Sequence, residues 1–161
     1  IYNLNLIIGL FGAPNNLIYQ ARKGFNGLDT SGVVLMSYPE FQALAIGAKD
    51  SDSPSTCLIQ GEKGWLKVET APNQLEKIAC QIRGEDNIQE YALNQYPHRL
   101  SHEFAAFAAM LANKDFAGRD LYLNISLQVA EAAEKSRKQA DISFLADQYL
   151  RSVPGGAKCP E

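Results

Sequence analysis

Hydrophobic and polar positions change their period twice along this chain. From Tyr2 to Phe11 the apolar residues Leu4, Ile7, Ile8 and Phe11 fall at i, i+3, i+4 and i+7, one face of a helix. Gly12 and Pro14 supply the stop. So short a helix is not stable alone and needs a surface to dock on. From Asn16 to Gln95 the period becomes two. Leu17–Gly24, Thr30–Tyr38, Phe41–Ala48, Thr56–Gln60, Trp65–Thr70, Lys77–Arg83 and Ile88–Leu93 read as strands. They are separated by turn signals such as Phe25-Asn26-Gly27, Pro39-Glu40 and Gly61-Glu62-Lys63-Gly64. After Pro97 the pattern is helical again. Phe104, Phe107, Ala108 and Leu111 mark a helix over Arg99–Asn113, and Ile125, Val129, Ala132, Ser136 and Ala140 mark one over Leu121–Ala140. Ile142–Phe144 reads as a short strand or an extended docking segment.

A helix, a run of about six strands and then two helices predict an α+β fold. The expected sheet is open and mostly antiparallel, with helices on one face. Its strands are apolar on both sides. Val33 and Leu35 alternate with Val34 and Met36, and Phe41 and Ala43 alternate with Leu44 and Ile46. The helices cover one face, so the other is expected to form a homodimer or a higher homo-oligomer.

Composition narrows the class. The 161 residues are 46% hydrophobic and 20% charged, which fits one folded domain and excludes bulk disorder. With 15 basic and 18 acidic residues, the net charge of −3 gives no footprint for nucleic acid. No apolar run approaches membrane-spanning length, so no membrane partner is expected. Cys57, Cys80 and Cys159 form an odd set without a CxxC pair, which points to a reduced, cytoplasmic setting. The Pro-Gly-Gly composition beyond Ser152 predicts a tail, assigned to 148–161 after a domain over 1–147.

Chemistry is sparse. Gly61 and Gly64 sit between strands, so they make a hairpin turn and not a phosphate loop. His98 and His102 are i and i+4 on a helix, but no third ligand is near them in sequence, and no metal is expected. No nucleophile elbow occurs.

Several phrases, in order, carry a resemblance. They are Tyr2 at the head of an apolar helix that ends Leu10-Phe11-Gly12-Ala13-Pro14, and Gly27-Leu28-Asp29-Thr30-Ser31-Gly32. Next come Gly47-Ala48-Lys49-Asp50-Ser51 and Ile59-Gln60-Gly61-Glu62-Lys63-Gly64-Trp65-Leu66. Last are Glu103 with Phe107, Ser126-Leu127-Gln128-Val129 with Ser136, and Ile142-Ser143-Phe144. Over 1–147 the chain resembles the C-terminal domain of the Gfo/Idh/MocA family of NAD(P)-dependent oxidoreductases. It is most similar to members with Tyr in place of the family His, the dihydrodiol dehydrogenase and glucose–fructose oxidoreductase relatives.

The resemblance implies a substrate-binding and oligomerisation domain of an enzyme that moves hydride to or from a sugar, polyol or diol. NAD or NADP would sit on an N-terminal Rossmann domain. No G-x-G-x-x-G and no Glu-Lys-Pro occur in this chain, so the segment alone is expected to bind no cofactor and to be inactive. A start at Ile1, inside a helical pattern, agrees with a piece of a longer protein. Tyr2 transfers as the catalytic proton donor, or else as an aromatic packed at a helix start. A phenol titrates near ~10 and needs a neighbouring lysine to serve at neutral pH. Asn5, Lys49 and His102 are substrate-binding candidates. Lys49 also reads as a solvated loop charge and His102 as a structural helix start. The alternative to an enzyme is a sugar- or nucleotide-sensing regulatory protein of the same fold.

Overall fold

The computed structural model describes residues 1–147 except Pro72, Leu93, Gln95, Pro97 and Arg99. The tail 148–161 with Cys159, the helix start at Arg99 and the strand end at Leu93 therefore lie outside the described residues. The element order is α1 (Tyr2–Phe11), β1 (Asn16–Lys23), β2 (Asp29–Ser37), β3 (Gln42–Ala48), β4 (Cys57–Gly61), β5 (Gly64–Val68), β6 (Ile78–Ile82), β7 (Gln89–Tyr91), α2 (Ser101–Asn113) and α3 (Phe116–Gln139). The architecture is α+β, and every strand pair is antiparallel. The strands divide into a three-stranded sheet, β1-β2-β3, and a four-stranded sheet, β4-β5-β6-β7. The break falls at the polar stretch 49–56, where the alternation that drives pairing lapses. α3 starts five residues earlier than its apolar spacing suggests, because the Asp115 carboxylate accepts from the Gly118 N–H at 2.9 Å and caps the first turn.

The described residues form two compact units, Ile1–Ala13 with Ser51–Val129, and Pro14–Asp50 with the described residues from Ala130 onward. In the first unit, Leu4 and Ile8 of α1, Val68 of β5 and Val129 of α3 are the buried apolar residues. α1 ends as its sequence requires, with Gly12 at φ 78°. The β4–β5 turn needs glycine more strictly. Gly64 holds φ 148°, and a Cβ there would meet the carbonyl oxygen of Gln81 on β6.

In the second unit, pairing of Leu17 with Met36 and of Val34 with Ala45 puts these four buried side chains on one face. The C-terminal part of α3 lies along β1. The Gln139 side chain accepts from the Tyr19 N–H at 2.9 Å and donates to the Leu17 carbonyl at 3.0 Å. Lys135 Nζ reaches Asn16 Oδ1, and Lys23 Nζ reaches the Asp141 carbonyl. The small residues Ala132 and Ser136 are the buried positions on this part of the helix, which lets it sit close. Tyr19 lies over Gly32, where a Cβ would strike its ring, and its hydroxyl donates to Asp29 at 2.7 Å. Burial first, then the Asp29 carboxylate, pushes the Tyr19 phenol up to about 12.

The segment after α3 is held by Arg137. Its guanidinium donates to both Asp147 oxygens at 2.6 and 2.9 Å and to the Ile142 carbonyl at 2.8 Å. It also lies 4.6 Å from the Phe144 ring centroid. Hydrogen bonds from Arg137 and then from the Phe144 N–H hold the Asp147 carboxyl below the usual aspartate range. A depressed folded-state value stabilises the fold above the ordinary aspartate pKa, and that contribution is lost as pH falls through the folded value. Asp147→Asn is therefore expected to lower the melting temperature by a few degrees near neutral pH. Wild type and variant should converge as the pH falls below the ordinary aspartate range. A difference unchanged by acid in thermal melts would remove this role from Asp147.

Candidate functional site

α1 brings two of the four sequence-predicted site residues together. Tyr2 opens the helix and Asn5 follows one turn later, on the same side. Tyr2 is 57% exposed, so its ring is not packed into the core at the helix start. Asn5 is exposed as well, and its backbone N–H donates to the Ile1 carbonyl at 3.0 Å. The first turn carries no acidic residue and no side-chain cap, and the phenol is exposed.

His102 lies in the first turn of α2 and belongs to the same unit. It is half-buried, with the edge of the Tyr96 ring against it at 4.8 Å and 74°. Its Nε2 is buried and has no hydrogen-bond partner. A buried nitrogen left unpaired is costly unless something else satisfies it, which a substrate hydroxyl can do. No hydrogen bond or ring contact joins Tyr2, Asn5 and His102 among the described residues. Neighbouring His98 is used locally, with its Nδ1 accepting from the Leu100 N–H.

Lys49 stands apart, at the exit of β3 in the other unit. Its side chain is exposed, while its N–H donates to the Thr30 carbonyl at 2.7 Å. The Thr30 hydroxyl in turn donates to Asp50 at 2.7 Å, so the Lys49-Asp50 pair is tied to the end of the sheet. The sequence reading missed Tyr96 as the neighbour of His102. The only signal for it is an aromatic six residues before the histidine. It also missed Arg137, whose position late in a helix reads as a solvated cation.

Metal chemistry finds no cluster of three or more His, Cys, Asp or Glu side chains among the described residues. Cys57 and Cys80 are half-buried free thiols, and burial raises the Cys57 thiol. No described helix is long and apolar enough to cross a membrane.

No family model matches the chain. Relatives and a solved structure do. The chain is 26% identical over 148 residues to scyllo-inositol 2-dehydrogenase (NADP(+)) IolU of Bacillus subtilis (strain 168), across 92% of this chain and 44% of that protein. It is 30% identical over 148 residues to the uncharacterized oxidoreductase YgjR of Escherichia coli (strain K12), across 91% of this chain and 43% of that protein. Both relatives are members of the Gfo/Idh/MocA family, which this chain resembles. A crystal structure of a candidate oxidoreductase from Klebsiella pneumoniae shares the fold. The TM-score is 0.58 at 15% identity, over 86% of this chain and 44% of that one.

The chain thus spans under half the length of the Gfo/Idh/MocA relatives it matches. The matched stretch fits a C-terminal part of such proteins. The family's oxidoreductase fold is present, in a form made of two antiparallel sheets with helices.

Proposed function

We propose that this chain is the substrate-side and assembly domain of an NAD(P)-dependent oxidoreductase that transfers hydride to or from a sugar, polyol or diol. The observation that carries this reading is the match to a dehydrogenase named for scyllo-inositol and NADP(+), extending over 92% of the chain. In this reading NAD or NADP supplies the hydride acceptor or donor from outside the residues described. Tyr2 holds a proton at its phenol oxygen and passes it to the substrate oxygen as hydride reaches the carbon. In the oxidative direction the same oxygen receives the proton. Asn5, one turn along the same helix side, offers an amide to a neighbouring hydroxyl. The unpartnered His102 Nε2 accepts from another hydroxyl.

The test is direct. The full-length protein is assayed with NAD and with NADP against inositols, aldoses and small diols, reading reduced cofactor by its absorbance. Turnover on one of these classes supports the reading. Absence of turnover with tight binding of a sugar favours the regulatory alternative.

Assembly follows from the open face of the first sheet. Ile18, Leu35 and Leu44 stand in register there, beside Gln20, Val33 and Ile46. Ile18, Leu44 and Ile46 are 49%, 61% and 65% exposed. A second copy of the chain, placed on this face by a two-fold axis, would bury it. A stable interface of this kind removes about 800 Å² per partner. Leu44→Glu changes a side chain that is already exposed, so the protomer keeps its fold. Its mass by light scattering at micromolar concentration is expected to halve. An unchanged mass would move the interface off this face.

A further inference from the structure

The second sheet carries an arrangement that hydride transfer does not use. On one side of it Gln60, Trp65 and Gln81 stand in register on β4, β5 and β6. The next row on that side is Leu58, Lys67, Ala79 and Glu90. Trp65 is half-buried, and its indole Nε1 donates to Gln81 Oε1 at 3.0 Å. Gln81 Nε2 in turn donates to the Glu85 carbonyl at 2.9 Å. These two bonds fix the plane of the ring before anything binds. On the opposite flank the Gln60 amide is exposed and makes no side-chain hydrogen bond among the described residues. Of the nearby lysines, Lys67 pairs with Glu69 and Lys77 with Glu90, each at 2.6 Å.

We propose that Trp65, flanked by Gln60 and Lys67, is a stacking platform for a neutral polyhydroxylated ring, a cyclic polyol or a pyranose. The chemistry of the face selects this ligand. The ring's C–H groups lie against the indole, and its hydroxyls both donate to and accept from the Gln60 amide. Small Ala79 stands beside Lys67 in the next row. Lys67, the cation in the row beside the ring, already has its carboxylate. A protein partner would need a broad apolar area, yet Trp65 and Leu58 are the only large apolar side chains on this side of the strands. The platform is independent of the reaction, so it stands or falls apart from the oxidoreductase reading.

Trp65 emission in the full-length protein is isolated as the difference between wild type and Trp65→Phe. Titration with myo-inositol and with glucose is expected to give a saturable change in that difference, with half-saturation in the millimolar range. Inorganic phosphate should give none. Gln60→Ala alters an exposed side chain outside the reaction machinery. It is expected to weaken the response several-fold while leaving turnover unchanged. No saturable change up to about 100 mM polyol would overturn the proposal. So would a Trp65 signal that follows protein dilution and ignores polyol, because the row would then be a subunit contact.

Discussion

A Tyr2→Phe oxidoreductase is expected to turn over about 10²–10⁴-fold more slowly on its true substrate, the loss typical of a missing general acid or base. The substitution keeps the ring and removes one oxygen. Tyr2 is exposed at the head of α1, so it contributes little packing to lose. Stability should therefore stay level while kcat falls. If the oxygen acts only in the transition state, kcat and kcat/KM fall together and KM hardly moves. A KM rise at constant kcat would make Tyr2 a binding residue only. Turnover near that of wild type would remove it from the chemistry. Asn5→Ala is the useful comparison on the same helix side, because a hydroxyl contact shared by ground and transition states shows mainly in KM.

Gly64→Ala should produce the largest loss of stability in the four-stranded sheet. The residue holds φ 148°, a region L side chains avoid, at a cost of about 1–3 kcal/mol for the backbone alone. The added methyl would also run into the Gln81 carbonyl oxygen, which belongs to rigid β6 backbone and cannot step aside. Displacing it would open the β5–β6 ladder at the pair Gly64–Ile82. Gly61 faces Gly64 across the same turn, and a Cβ there would lie 3.5 Å from the Gly64 carbonyl, an ordinary contact. Chemical denaturation should thus separate the two alanine variants, with Gly61→Ala the milder. Equal losses would mean that the turn, and not the approach to β6, sets the cost.

The strands were legible because alternation is local. Val34 and Met36 went inside and Val33 and Leu35 outside, as a period of two requires once one face is covered. Alternation cannot say which edges meet, so it gave one run of strands and not the division at 49–56. α2 shows another limit. Phe104, Phe107 and Leu111 have the spacing of a packed face, yet no residue of the described helix is buried. Spacing predicts a stripe and does not supply its cover. At the site, Tyr2 was visible only through its family phrase, because an exposed tyrosine at a helix start has no distinguishing local pattern. The orphaned Nε2 of His102 is a three-dimensional fact with no linear trace. The Arg137 clasp escaped for a related reason. Its partner Asp147 lies ten residues on, past the end of the helix, where i,i+4 rules do not reach.

The double hydrogen bond of Gln139 does for β1 what a neighbouring strand would do. Its amide meets the carbonyl of Leu17 and the N–H of Tyr19 with the polarity of a peptide group, so the outer margin of the sheet is not an open template. Strand-by-strand recruitment of another chain is blocked there, even though β1 carries the exposed Ile18. A glutamate at 139 would still accept from Tyr19 but would face the Leu17 carbonyl with no proton to give. The margin would then be left half sealed. Fibre growth by β-strand addition, a hazard for any sheet with uncovered apolar side chains, would begin from that side.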